Sequence, residues 1–352
     1  MTVGSNGGLE AALPEPISVL KGHKTASYPQ PFHLDEREQD PNLTAIDLHA
    51  QQEALKYPCL AQVEKGERFS APAQTQEVYA VVPADLPWAT KSLTESCDTL
   101  HVVLPTWFHI SAAQGSTEVL GVSAETRDPL WNYAAQNPGL QVMPIVQIDT
   151  TASQLLNDEG GPDKMAGALT DFFERSRGEK TVRGFCLDAS PLTSIGADAF
   201  AALGRQMTTA LVKQNLTSCV KLPSNVSKSL LIIANRFFNT VIVNGYREYW
   251  IGSAPQPLAD KRWLKAHIAA LQEHVSPAKL VIELGTHAVD WVSGHPRPEI
   301  QPFAKAMSAV AKREGLVEFV PSAENTRASY IDAKGLQHRL WMLDAASMHN
   351  QI

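Results

Sequence analysis

The chain has 352 residues, 44% of them hydrophobic and 19% charged, with a formal net charge of −7. That is enough apolar content for one large domain or two ordinary ones, and it argues against a nucleic-acid surface, which carries a basic patch or stripe. No block of like charge marks a membrane patch, no run of about 18 apolar residues marks a span, and MTVGSNGGLEAALPEP lacks the basic-then-apolar order of a signal peptide.

Residues 1–75 are rich in Pro, Gly, Gln and charge and read as an extended N-terminal arm or linker, with one helix over Leu43–Leu55. From residue 76 a rhythm begins. The strand candidates are VYAVV (78–82), LHVVL (100–104), LQVMPIVQI (140–148), VRGFCLD (182–188), SCVKL (218–222), TVIVNGY (240–246), LVIEL (280–284) and HRLWML (338–343). Continuously apolar runs suit parallel strands covered on both faces. Helical stretches fall between them. DPLWNYAAQ offers Asp128 as an N-cap. DKMAGALTDFFERSR puts Met165, Leu169, Phe172 and Phe173 on one face. Eight strands alternating with helices over 76–352 predict an α/β fold, a (β/α)8 TIM barrel. A doubly wound open sheet is the runner-up, but its first turn, VVPADLPW, lacks the glycines of a dinucleotide site. ASYIDAKGLQHRLWML reads as a hairpin leading into strand eight. The chain stops at DAASMHNQI without a closing helix, so a longer natural chain, or cover from the arm, is expected.

In such barrels the site lies at the C-terminal strand ends. Those ends offer Asp85 and Trp88, Trp107 and His109, Gln147 and Asp149, Asp188 and Ser190, Ser224 and Asn225, Tyr246, Glu248 and Trp250, Glu283 and His287, and Trp341 with Asp344. Trp107, Tyr246, Trp250 and Trp341 in one mouth would offer faces to sugar rings. The carboxylates are not obviously paired as glycosidic hydrolysis ordinarily asks. No GxSxG elbow, HExxH or GxxxxGK[ST] occurs, so no metal or other cofactor is expected. Cys59, Cys97, Cys186 and Cys219 form no CxxC pair and read as small, separate residues, most of them buried.

Three stretches, NGYREYWIGSAPQPLADKRWL, KLVIELGTHAVDWV and SYIDAKGLQHRLWMLDAASMHNQ, resemble strands six, seven and eight of glycoside hydrolase family 18. Their order and spacing resemble the chitinase-like barrels found in bacterial proteins with polysaccharide deacetylase and family 2 glycosyltransferase modules. The resemblance implies a TIM barrel, an N-acetylhexosamine polysaccharide as ligand, and an extracytoplasmic location. Deacetylase or glycosyltransferase domains of the same natural chain would be its partners.

The family's strand four carries DGxDxDxE, whose Glu protonates the leaving oxygen. The Asp two residues earlier orients the substrate's own acetamido nucleophile, an exception to the two-carboxylate scheme. Here the stretch is RGFCLDAS. Arg183 and Cys186 replace aspartates, Asp188 is kept, and Ser190 stands where the acid belongs. On strand six Tyr246 is kept and Arg247 replaces Asp. The resemblance therefore implies a degenerate site in which Asp188 and Tyr246 hold the acetamido group and Trp341 floors the sugar. Three readings stand: a silent binder, a hydrolase with a relocated acid at Glu248 or Glu283, and a structural docking domain with covered aromatics. In the last, Arg183 would pair with Asp188 or Asp149.

Overall fold

The computed structural model describes residues 77–344 with Ser347 and Met348, apart from 85–99, 114–115, 150–151, 153, 155–157, 176–181 and 191–195. The arm expected over 1–75, with its helix, and the tip residues Asp85 and Trp88 lie outside the described residues.

β1 is Tyr79–Val82. β2 (Val102–Pro105) runs on as β3 (Phe108–Ala113), which folds back antiparallel as β4 (Ser116–Gly121). After α1 (Ala124–Gln136), β5 (Gln141–Val142) and β6 (Ile145–Ile148) form one strand interrupted at Pro144, whose nitrogen cannot donate to a ladder. Then helices and strands alternate: α2 (Gly161–Arg175), β7 (Gly184–Asp188), α3 (Ala197–Val212), β8 (Thr217–Leu222), α4 (Lys228–Phe237), β9 (Thr240–Asn244), α5 (Lys261–Gln272) and β10 (Leu280–Glu283). Neighbours pair in parallel and in chain order, β1–β2–β5 and β6–β7–β8–β9–β10.

Side-chain alternation shows how this wall curls. Ala80, Val103, Val146, Phe185, Leu187, Val220, Val241 and Val243 point outward, into one core shared with Leu169, Phe173, Leu203 and Leu230 of the helices. Their strand neighbours point the other way. Tyr79, Val102, Leu104, Met143, Ile145, Cys186, Cys219 and Ile242 form a separate interior cluster, joined by Val81 and Val281. Side chains of the first and seventh parallel strands thus meet in one enclosed core. Distal strands of an open doubly wound sheet do not meet this way, so the runner-up is excluded and the barrel expectation holds.

Gly184 belongs to this geometry. A Cβ there would overlap the carbonyl oxygen of Thr217 on β8. In α2, Met165, Leu169, Phe172 and Phe173 are buried as the spacing predicts. α1 departs from expectation: it starts at Ala124 with Ser123 as N-cap, so Asp128 lies inside the helix rather than capping it.

The chain between strands seven and eight is richer than its sequence indicates. β11 (His287–Val292), β12 (Glu299–Pro302), α6 (Phe303–Lys312), β13 (Leu316–Val320), β14 (Asn325–Ile331) and β15 (Gln337–Met342) build an antiparallel sheet of order β12-β11-β15-β14-β13. The expected hairpin is β14–β15. Strand eight, β15, spends both edges on β11 and β14. α6 covers one sheet face through Ala306, Met307 and Val310. Among the described residues no helix is long and apolar enough to cross a membrane.

Candidate functional site

The alternation that puts Cys186 and Cys219 inside the barrel brings Asp188 and Lys221, two residues further on, to its C-terminal mouth on the same side. These two are register partners across β7 and β8. Gln147 pairs with Asp188, and His109 with Gln147, so both share that inward side; both are exposed, which keeps this part of the mouth open. β10 contributes Glu283, and the turn after β9 contributes Tyr246.

These groups form one network. Lys221 Nζ lies 3.2 Å from Glu283 Oε2 and 3.9 Å from Asp188 Oδ2. Tyr246 Oη donates to Glu283 Oε1 at 3.2 Å. The backbone N–H of Ser190 donates to Asp188 Oδ1 at 3.0 Å, while Ser190 Oγ is buried with no partner. The His287 ring meets Tyr246 edge-on, with centroids 4.8 Å apart.

Burial works against charge here, and only paired charges persist. Burial alone would lower the Lys221 ammonium, but Glu283 and Asp188 outweigh it and hold it above its ordinary value. Burial, then the neighbouring Glu283 charge, lifts the Tyr246 hydroxyl well above its usual range. Burial, with Lys221 nearby, pushes His287 down to about 4, so its ring is neutral near pH 7. Burial also raises Glu248, against the opposing pull of the Ser224 backbone N–H and Lys221.

The predicted site residues therefore divide. Asp188, Ser190, Tyr246 and Glu283 gather at the mouth, with Glu248 within reach of the Lys221 field. Trp250 stands on the rim, 65% exposed. Trp107 is not a mouth aromatic: it is 2% exposed and packs on Trp131, with centroids 5.4 Å apart, because strand two continues past it into the β3–β4 hairpin. Trp341 is 8% exposed and packs with Trp291, Leu258, Tyr246 and Tyr249.

Arg183 reaches neither Asp188 nor Asp149. It sits just before β7, at the opposite end of the barrel, and pairs with Glu77 at 2.6 Å. Arg247 also turns away. It binds Asp260, the N-cap of α5, at 2.6 Å, donates to the Pro257 carbonyl, and lies over Trp263. Cys186 is buried as expected, but it is not a separate thiol: it forms a disulfide with its register partner Cys219.

The residue missed from sequence is Lys221. Its signal was available, as a lone lysine inside the apolar strand SCVKL. Among the described residues no group of three His, Cys, Asp or Glu side chains could hold a metal ion.

No protein-family model and no curated protein matches the sequence. Solved structures do match. The chain is similar to a chitinase from Chromobacterium violaceum, at 16% identity and a TM-score of 0.63, over 77% of this chain and 88% of that one. A class V chitinase from Pseudomonas fluorescens matches at 17% identity and 0.63, over 78% and 90%. The spore cortex-lytic enzyme SleL of Bacillus megaterium matches at 15% identity and 0.60, over 81% and 69%. Likeness at such identities is likeness of fold: this is a (β/α)8 barrel similar to those of the chitinases.

Proposed function

We propose that this barrel binds a β-linked N-acetylhexosamine polysaccharide at its mouth and leaves it uncut. One observation carries the reading: two residues beyond Asp188, where a leaving oxygen would need its proton, stands Ser190. A serine hydroxyl is far too weak an acid to supply that proton near neutral pH, and general acid catalysis is worth about 10²–10⁴-fold.

The neighbouring carboxylates do not replace it. Glu283 is 3% exposed, accepts from Tyr246 at Oε1 and pairs with Lys221 at Oε2, so both its oxygens are already engaged. Asp188 accepts from the Ser190 backbone and faces the same ammonium. What remains suits recognition. Asp188 and Tyr246 stand where an acetamido group would be held, His109 and Gln147 are exposed for hydroxyls, and Trp250 presents a ring to a sugar face. In a longer natural chain such a domain would seat polymer beside deacetylase or glycosyltransferase modules.

The test is tryptophan fluorescence during titration with N-acetylglucosamine oligomers, with product release followed in the same mixture. Saturable quenching without product supports the reading, and Trp250→Ala should weaken binding about tenfold without changing stability. Trp341 and Trp107 are buried in packed clusters and are unsuitable for such truncation.

A second reading has its own observation. Glu248 is the carboxylate at the mouth that burial shifts toward protonation, the property a relocated general acid needs. Product release that disappears in Glu248→Gln would establish it and overturn the silent binder.

A further inference from the structure

A pocket of about 380 Å³ lies on the face of the antiparallel sheet opposite α6, outside the Asp188–Lys221–Glu283 network. That is within the size range of small-ligand sites. Strand register explains its chemistry. Trp341, Arg327 and Glu318 are cross-strand partners, as are Arg339, Ser329 and Leu316, so these side chains share one face. Pro255, from the loop after β9, closes one wall. Trp341 belongs to the same aromatic cluster as Tyr246, which links this pocket to the barrel mouth.

The charge balance is the informative feature. Arg327 is already paired with Glu318 at 2.5 Å. Arg339 is exposed, and its side-chain contact is a 3.3 Å hydrogen bond to the neutral Gln337. Among the described residues it has no acidic partner. The pocket therefore holds a net positive charge in a protein of net charge −7. A guanidinium fork beside an indole wall and a serine hydroxyl matches a sugar ring that carries a carboxylate.

We infer that this pocket is a subsite for an acidic sugar, so that the polymer bound is a hexosamine glycan carrying carboxylates rather than a neutral one. The inference rests on the glycan-binding reading above and adds the polymer's charge. Arg339 is the anion-binding residue, and Arg327, partly neutralised by Glu318, supports it.

The test compares two hexamers by calorimetry: an N-acetylglucosamine hexamer, and one in which N-acetylglucosamine alternates with glucuronate. The wild-type chain should bind the acidic hexamer about tenfold more tightly at low salt, an advantage that added salt erodes. Arg339→Gln should remove the advantage while leaving neutral-hexamer affinity unchanged, and Arg236→Gln, on α4, should change neither. Equal affinity for both hexamers in the wild type would overturn the acidic subsite while leaving glycan binding intact. An advantage surviving in both Arg339→Gln and the Arg327→Gln/Arg339→Gln double variant would also overturn it. If neither hexamer binds, the glycan reading falls and this inference with it.

Discussion

Replacing Lys221 by Met keeps length and volume but deletes the charge between two carboxylates. The Lys221 side chain is 13% exposed and Glu283 is 3% exposed. At an effective dielectric of about 20, unit charges at 3.2 Å and 3.9 Å attract by about 5 and 4 kcal/mol. Desolvating an ammonium takes back several kcal/mol, which leaves a net loss of about 3–5 kcal/mol when one partner of a buried pair is removed. Urea unfolding at pH 7 should show that loss. The pH dependence carries the sharper expectation. In Lys221→Met the two carboxylates lose their buried counter-charge, so the variant's deficit should shrink between pH 7 and about pH 4.5, as acid reduces the negative charge left unpaired. In the wild type the folded Lys221 value is raised, so its contribution is fully present below the unfolded value and fades only as pH rises through the folded one. A deficit below about 1 kcal/mol at pH 7, or one equal at both pH values, would refute a charge network and make Lys221 an ordinary snorkelling side chain.

Three further outcomes are expected. His287 should titrate at about 4 by NMR; because the unfolded imidazole gains its proton near 6.5, stability should fall by about 3 kcal/mol as pH drops from 6.5 to 4. Cys186 and Cys219 should be unreactive to alkylation in denaturant until a reductant is added, and their joint replacement by serine should cost about 3–4 kcal/mol, from the loop entropy of a 33-residue separation. Gly184→Ala should cost at least about 3 kcal/mol in urea unfolding, because the new methyl meets backbone on β8 that cannot move aside.

Much of this was legible in the sequence because parallel strands and their helices are local patterns. All eight apolar runs are strands, since each must be covered on both faces whatever its neighbours do. The lack of a carboxyl at Ser190 was equally plain, since that holds in any fold. The β3–β4 hairpin and β11–β13 were not legible. Their residues mix polar and apolar, and β3 and β11 each lie between two partners, one of them (β6, β15) far along the chain.

The sequence by itself determined the barrel's rhythm and the absence of an acid at position 190, because both are properties of residue type. Only the tertiary structure decided which charges meet. Arg183, just before β7, and Asp188, at its end, are five positions apart, yet the strand's length puts them at opposite ends of the barrel, one with Glu77 and the other with Lys221. Lys221 and Glu283 are far apart in sequence and become partners because a closed barrel turns alternate residues of every strand into one enclosed space. In that space an unpaired charge is costly, so the pairing itself defines the site.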